Sequence, residues 1–399
     1  MTNEIKNVPE LRFPEFKEEW SKLKLGELAE IVRGSSPRPI SDPRWFDINS
    51  DIGWLRISDV TEQNGKITKL EQKISKDGQK KTRVLHSKHL LLSIAATVGK
   101  PVINYVKTGV HDGFLIFLRP LFDIEFMYQW LDAYRPKWKK YGQPGSQVNL
   151  NSELVKSQKI YMPHSVEQKK ISDFFSKLDQ QIELEEQKLE KLEEQKKGYM
   201  QKLFSQEIRF KDNKGNNYPD WKIVEIGGIL EERTERSGEG DMLSVTINNG
   251  IIKFDEIDRK DNSSKDKSNY RKVYKDDIAY NSMRMWQGAS GKSEYEGIVS
   301  PAYTVTIPSE NINPDFIAYY FKTHKMIHKF KINSQGLTSD TWNLKYRQLK
   351  DIKLNLCSKE EQNKIANLLI MYDKLINKQK HKVEILKTNK KGFLQKMFI

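Results

Sequence analysis

Four short runs in this sequence carry residue types that could do chemistry. Gly288 to Ser293 (GASGKS) ends in the Gly-Lys-Ser of a phosphate loop, but Trp286 stands where that loop's first glycine must be. A solvent turn is the expected reading of the run. His324 and His328 are four residues apart on one helical face, as a pair of zinc ligands would be. The residues between them lack the Glu of a zinc hydrolase, and no third ligand is evident. Pro219 to Lys222 (PDWK) offers a carboxylate and a lysine, yet a nuclease-like spacing cannot be completed around it. An amino-methyltransferase would need a glycine-rich cofactor loop and an Asn/Asp-Pro-Pro-aromatic motif, and neither occurs. Cys357 is the only cysteine, so an intramolecular disulfide and a Cys-based zinc finger are both excluded. No catalytic residue and no metal ligand are therefore expected.

What the chain has in excess is positive charge, with 68 Lys and Arg against 54 Asp and Glu and a formal net charge of +14. That balance suits a polyanion, either nucleic acid or an acidic membrane surface. Arg and Asn or Gln can pair bidentately with base edges, whereas Lys mostly meets phosphate. In the first half the candidates are Arg33, Ser35, Ser36 and Arg38 on a Gly/Pro loop, with Lys80, Lys81 and Arg83. Lys137, Lys139, Lys140, Tyr141 and Gln143 form a second basic stretch with aromatic and amide neighbours. In the second half they are Lys260, Lys265, Lys267, Asn269, Tyr270 and Arg271, then Arg284, Trp286 and Gln287. Each of these also has the plain reading of a solvated surface residue. Met1 to Lys6 does not open a signal peptide, and the longest apolar stretch, Leu90 to Val98, is too short to span a bilayer. A cytoplasmic protein with no membrane partner is expected.

The elements that must position these residues are announced by an internal repeat. Glu167 to Phe204 recurs as Glu361 to Phe398, at an offset of 194 and without insertion. Matches include Gln168 with Gln362, Asp179 with Asp373, and Lys196, Lys197, Gly198 with Lys390, Lys391, Gly392. In the first copy Ile171, Phe175, Leu178, Ile182, Leu189, Leu192, Tyr199 and Leu203 fall on alternating steps of four and three. In the second copy Ile365, Leu369, Tyr372, Ile376, Val383, Leu386, Phe393 and Met397 do the same. Two positions on this seam are polar in both copies, Glu185 with Gln379 and Lys196 with Lys390. A heptad seam with matched polar interruptions predicts a coiled coil of specified register, each helix roughly 57 Å long at about 1.5 Å per residue. Glu183 to Glu194 carries six acids and two bases, while Asn377 to Thr388 carries four lysines and one acid. Opposite charge favours pairing of the two helices with each other; the alternative is that each packs only on its own domain.

Between the helical copies the halves diverge. Phe16, Glu18, Trp20, Leu25 and Gly26 resemble Tyr218, Asp220, Trp221, Ile226 and Gly227, and Asn149 and Phe126 answer to Asn343 and Phe316. In the first insert Trp54 to Val60, Leu90 to Ala96, Val102 to Val106 and Phe114 to Leu118 read as strands, and Asp123 to Tyr134 as a helix. In the second, Leu243 to Ile247, Asp277 to Asn281 and Ala302 to Ile307 read as strands, and Asp315 to His328 as a helix. An α+β fold with two twisted-sheet domains is expected. Its bounds are 1–165 and 205–358 for the globular domains and 166–204 and 359–399 for the helices.

This order of insert, repeated helix, second insert and repeated helix resembles the specificity subunit of type I restriction-modification systems. Local phrases agree: Gly34 to Pro39 (GSSPRP), Trp54 to Val60 (WLRISDV), Glu167-Gln168 opening each helix, and Gly297 to Tyr303 (GIVSPAY). The resemblance covers essentially the whole chain. It implies two target-recognition domains, each reading half of an asymmetric bipartite site in double-stranded DNA. The helices would form an antiparallel pair about a pseudo-two-fold, set the gap, and dock two methyltransferase subunits. The chain itself would be non-catalytic and hold no cofactor. S-adenosylmethionine would belong to the methyltransferases, and ATP and Mg to the restriction-translocase subunits. A coiled-coil scaffold, or a DNA-processing enzyme with a degenerate motif, remains the alternative.

Overall fold

The computed structural model describes residues 7–141, 150–256, 266–338 and 341–399. Its longest elements are a central helix, Ser165–Phe204, and a C-terminal helix, Lys359–Met397. The chain divides into two units, Met1–Glu186 with His381–Ile399 and Gln187–Lys380, so each unit holds part of both long helices. No helix among the described residues is long and apolar enough to cross a membrane.

In the first unit a five-stranded sheet has the order Glu30–Arg33, Phe114–Leu118, His89–Ser93, Pro101–Asn104, Lys66–Ile67, antiparallel except for the last pair. A three-stranded sheet places Gly53–Trp54 and Arg83–Leu85 on either side of Thr108–Val110. In the second unit a four-stranded antiparallel sheet has the order Leu230–Glu232, Tyr303–Pro308, Ile278–Asn281, Ser290–Lys292. Each insert is closed by a two-stranded ribbon immediately before its long helix. Ser21–Lys24 pairs with Lys159–Met162, and Lys222–Glu225 pairs with Lys353–Leu356.

The helical ends are built into the two cores. Ile171, Phe175, Leu394, Met397 and Phe398 pack with Trp20, Phe117 and Phe126 in the first unit. Leu203, Phe204, Ile365 and Leu369 pack with Ile226, Phe316 and Phe330 in the second. At about 1.5–3 kcal/mol for each large apolar side chain buried, these ends anchor the helices firmly. The matched Phe126 and Phe316 have a local cause. Asp123 and Asn313 are N-caps whose side chains accept from the backbone N–H of Phe126 and Phe316, at 2.8 and 3.0 Å.

The repeated Glu-Gln serves the same end twice. Glu167 is buried, accepts from Arg12 Nε and Nη2 at 2.7 and 2.8 Å, and takes the Trp20 indole N–H at 3.2 Å. Glu361 accepts from Arg209 Nε and Nη2 at 3.1 and 2.8 Å and from Trp221 at 3.2 Å. Gln168 accepts from the Asp123 N–H and donates to the Pro163 carbonyl, as Gln362 does with Asn313 and Cys357.

The helices pair antiparallel within each unit, by apolar seam and by charge. Lys390 reaches Asp179 at 2.7 Å in the first unit, and Lys196 reaches Asp373 at 2.6 Å in the second. Lys382 with Glu185, Lys387 with Glu186 and Lys380 with Glu193 add the flanking pairs that opposite charge predicts. Ile171, Phe175, Ile182, Leu203, Ile365, Leu369, Ile376, Val383 and Met397 are buried. Leu178, Leu189, Leu192, Tyr372, Leu386 and Phe393 are half-buried. Tyr199 lies at the rim, 39% exposed, with its ring 5.5 Å from that of Tyr372.

Three local expectations fail. Trp54 to Val60 is a strand end followed by a helix, Ile57–Glu62, because Asp59 folds back onto the Arg56 N–H and guanidinium. Asp315 to His328 is two helices, Pro314–Phe321 and His324–Asn333, since Thr323 caps the second. Ser290–Lys292 is a strand rather than a solvent turn. Ser290 and Gly291 are buried, and a Cβ at Gly291 would lie 2.9 Å from the Gly250 Cα.

Candidate DNA interface

In the first unit the strand Glu30–Arg33 runs into the Gly34 to Pro39 loop. Gly34 donates to the Phe114 carbonyl and Ser35 to the Val110 carbonyl, at 2.9 and 3.0 Å. A Cβ at Gly34 would fall 2.2 Å from the His111 carbonyl oxygen, so only glycine permits this approach. Thr82 donates to the Ser35 carbonyl at 2.6 Å, and Arg83 Nε to the Arg33 carbonyl at 2.9 Å. Two of the three basic stretches read from the first half are thus brought side by side.

The first of them is gathered on Asp112, which the sequence did not single out. Its carboxylate accepts from Ser36 Oγ at 2.7 Å and Arg38 Nη2 at 2.8 Å, and its backbone carbonyl from Arg33 Nε at 2.6 Å. The Ser36 hydroxyl, outweighing partial burial and aided by Arg38, holds the Asp112 carboxyl below the ordinary carboxylate range. Arg33, Arg38, Lys80, Lys81 and Arg83 are all exposed. Lys80 pairs with Asp77 at 2.8 Å. Arg44, also missed, stacks 4.1 Å over the Trp45 ring.

The remaining first-half candidates lie elsewhere. Lys137 is exposed on the 3-10 helix Arg135–Tyr141, which also carries Lys139, Lys140 and Tyr141. It helps line a cleft of about 400 Å³ with Trp130, Tyr134, Lys391 and Phe398. Gln143 lies outside the described residues, as do Lys260 and Lys265 in the second half.

In the second unit Lys267 is half-buried and Asn269 exposed, both ahead of the strand Arg271–Val273. Tyr270 is only 6% exposed, so its ring offers no face for stacking on a base. Arg271 is committed to Glu232 at 2.8 Å, and Arg233 is held bidentately by Asp277 at 2.8 and 2.9 Å. The exposed cation beside them is Arg236, whose Nη1 donates to the Asn269 carbonyl at 3.1 Å. Adding to Ser35 the 201 residues that separate Trp20 from Trp221 gives Arg236, so this loop is the counterpart of the one after Arg33. Arg284 precedes the 3-10 helix Met285–Gln287, where Trp286 and Gln287 are half-buried and Trp286 packs edge-on to Trp342.

Most of the runs that suggested enzyme chemistry have structural occupations. Lys292 pairs with Glu294 at 2.7 Å and Asp315 at 3.0 Å beside its strand. His324 and His328 are exposed on their helix. Pro219 to Lys222 delivers Trp221 to Glu361. Cys357 is buried, and burial, reinforced by Glu361, pushes its thiol far above the ordinary range. Among the described residues no group of three or more His, Cys, Asp or Glu could hold a metal ion.

The family model for the type I restriction modification DNA specificity domain matches residues 17–194 and 218–386. The chain belongs to that family. Each match takes in one globular insert and a large part of the long helix that follows, so the family's unit is the internal repeat itself. This specificity subunit is therefore a DNA-recognition chain with two recognition domains. It is 25% identical over 421 residues to the MjaX type I restriction enzyme specificity subunit of Methanocaldococcus jannaschii, covering 96% of this chain and 94% of the relative. Its fold is that of the type I restriction-modification S subunit from M. genitalium, with TM-score 0.59, 15% identity, and 98% and 99% of the two chains covered. A chain from a structure titled for complex assembly and conformational transition of the type I R-M system gives TM-score 0.54 at 15% identity, over 96% and 98% of the chains.

Proposed function

We propose that each recognition domain reads one half of an asymmetric bipartite target in double-stranded DNA, while the helical pair sets the gap and docks two methyltransferase subunits. The observation that carries this reading is unequal divergence. The seam repeats its bonds, Lys390 to Asp179 and Lys196 to Asp373, while the sheets beside it differ in strand number and order. Equivalent helical faces suit two copies of one partner; dissimilar domains suit two different half-sites. A helix of 40 residues is about 60 Å long at about 1.5 Å per residue, comparable with one to two duplex turns of about 34 Å.

On this reading the chain is a non-catalytic, cytoplasmic subunit without a cofactor. S-adenosylmethionine is the methyltransferases', and ATP and Mg are the restriction-translocase subunits'. Mixing the chain with its methyltransferase should give a complex with two methyltransferases per chain, retaining DNA sequence-selectively and losing it steeply with salt. A one-to-one complex, or retention indifferent to sequence, would overturn the proposal.

A further inference from the structure

Arg33 and Arg83 are held in a way that a contact with phosphate does not require. Arg33 spends its Nε on the Asp112 carbonyl at 2.6 Å, and Arg83 spends its Nε on the Arg33 carbonyl at 2.9 Å. Both residues are exposed, and a guanidinium tied at Nε still presents its two Nη groups as an end-on fork. The loop beneath them is fixed in turn, because Ser36 and Arg38 both bond the Asp112 carboxylate.

We propose that the first recognition domain reads guanine in its half-site through the end-on forks of Arg33 and Arg83, with Asp112 as the positioning residue for Arg33 and the loop that follows it. The inference rests on the DNA-reading role proposed above and names the residues and base involved. Direction decides between base and backbone. Phosphate contact depends chiefly on net charge, and the Asp112 carboxylate subtracts from it. A guanine presents O6 and N7 as two acceptors of fixed geometry, and a pre-aimed fork gains from that. The nearest arginines of the second unit are disposed otherwise. Arg233 and Arg271 are partly buried on carboxylates, and the exposed Arg236 is tied at Nη1 rather than Nε, which breaks its end-on fork.

The test uses the full complex with its methyltransferase and maps methylated sites genome-wide for the native chain and for Arg33→Lys and Arg83→Lys. Lysine keeps the charge and loses the fork. Each substitution should reduce discrimination at one G·C pair of one half-site by about 10- to 100-fold, the range for one bidentate pair. The other half-site should stay strict and the salt dependence of DNA retention should stay unchanged. Variants that keep the native motif, or that lose methylation uniformly at all sites, would overturn the proposal. A native complex without a two-part motif would overturn the reading on which it rests.

Discussion

Asp179 is met by Lys390 in one unit and Asp373 by Lys196 in the other, and Arg12–Glu167–Trp20 is answered by Arg209–Glu361–Trp221. The inserts carried on this repeated frame share little beyond their entry ribbons and caps. In one, Arg33 and Arg83 are exposed with Nε on backbone carbonyls; in the other, Arg271 and Arg233 are tied down by Glu232 and Asp277. The contrast separates two duties. On the proposed function, a surface that receives the same partner twice keeps its bonds, whereas surfaces that read different sequences drift apart around a common way in and out.

The comparison is broken most severely at the seam. Replacing Ile182 and Leu189 together by Asp puts two charges into the interhelical contact and should abolish assembly with two methyltransferases, read by native mass spectrometry. Retained stoichiometric assembly would count against the helices as the docking frame. Next come the buried clamps. Glu167→Ala and Glu361→Ala each remove the buried carboxylate that an arginine and an indole N–H share, and each should cost about 3–5 kcal/mol in denaturant unfolding. Unequal costs would show that the two copies no longer do equivalent work.

The lysine pairs give a graded contrast. Lys196→Met leaves Asp373 the Tyr319 hydroxyl at 2.6 Å and should cost about 1.5–3 kcal/mol. Lys390→Met should cost less, because Lys66 at 2.9 Å and Gln129 at 3.1 Å still serve Asp179. Acid sharpens the same point. Burial works to raise the Asp179 carboxyl, but Lys390 and Lys66 outweigh it and hold it below the ordinary range. Its contribution is therefore complete above the unfolded value of about 3.9 and is lost as pH falls through the lower folded value. Asp179→Asn should flatten that part of the acid melting profile, and an unchanged profile would refute the assignment. Smallest of all, Gly198→Ala and Gly392→Ala should each stabilise the chain by about 0.5–1 kcal/mol, since a Cβ at either meets nothing within 4 Å.

How much was legible follows the range of the interactions. The long helices, their seam and their pairing could be read because heptad spacing and charge are written along the chain. The helix after Asp123 could be read because its cap is local. The strand at Ser290–Lys292 could not, since Gly250, against which Gly291 packs, lies about forty residues away. Nor could the hub at Asp112, whose partners Ser36 and Arg38 lie more than seventy residues upstream. Tyr270 reads as a surface residue of a basic stretch but is buried, and the strand that follows it, Arg271–Val273, is too short for its alternation to say which face points inward.

The central claim, that one chain reads two different half-sites from a single repeated frame, is tested most directly by mapping adenine methylation genome-wide in cells given the chain with its methyltransferase, and in cells given the methyltransferase alone. The account predicts one asymmetric, two-part motif with a fixed gap that appears only when the chain is present. A symmetric or continuous motif, or no motif dependent on the chain although the methyltransferase is bound, would contradict it.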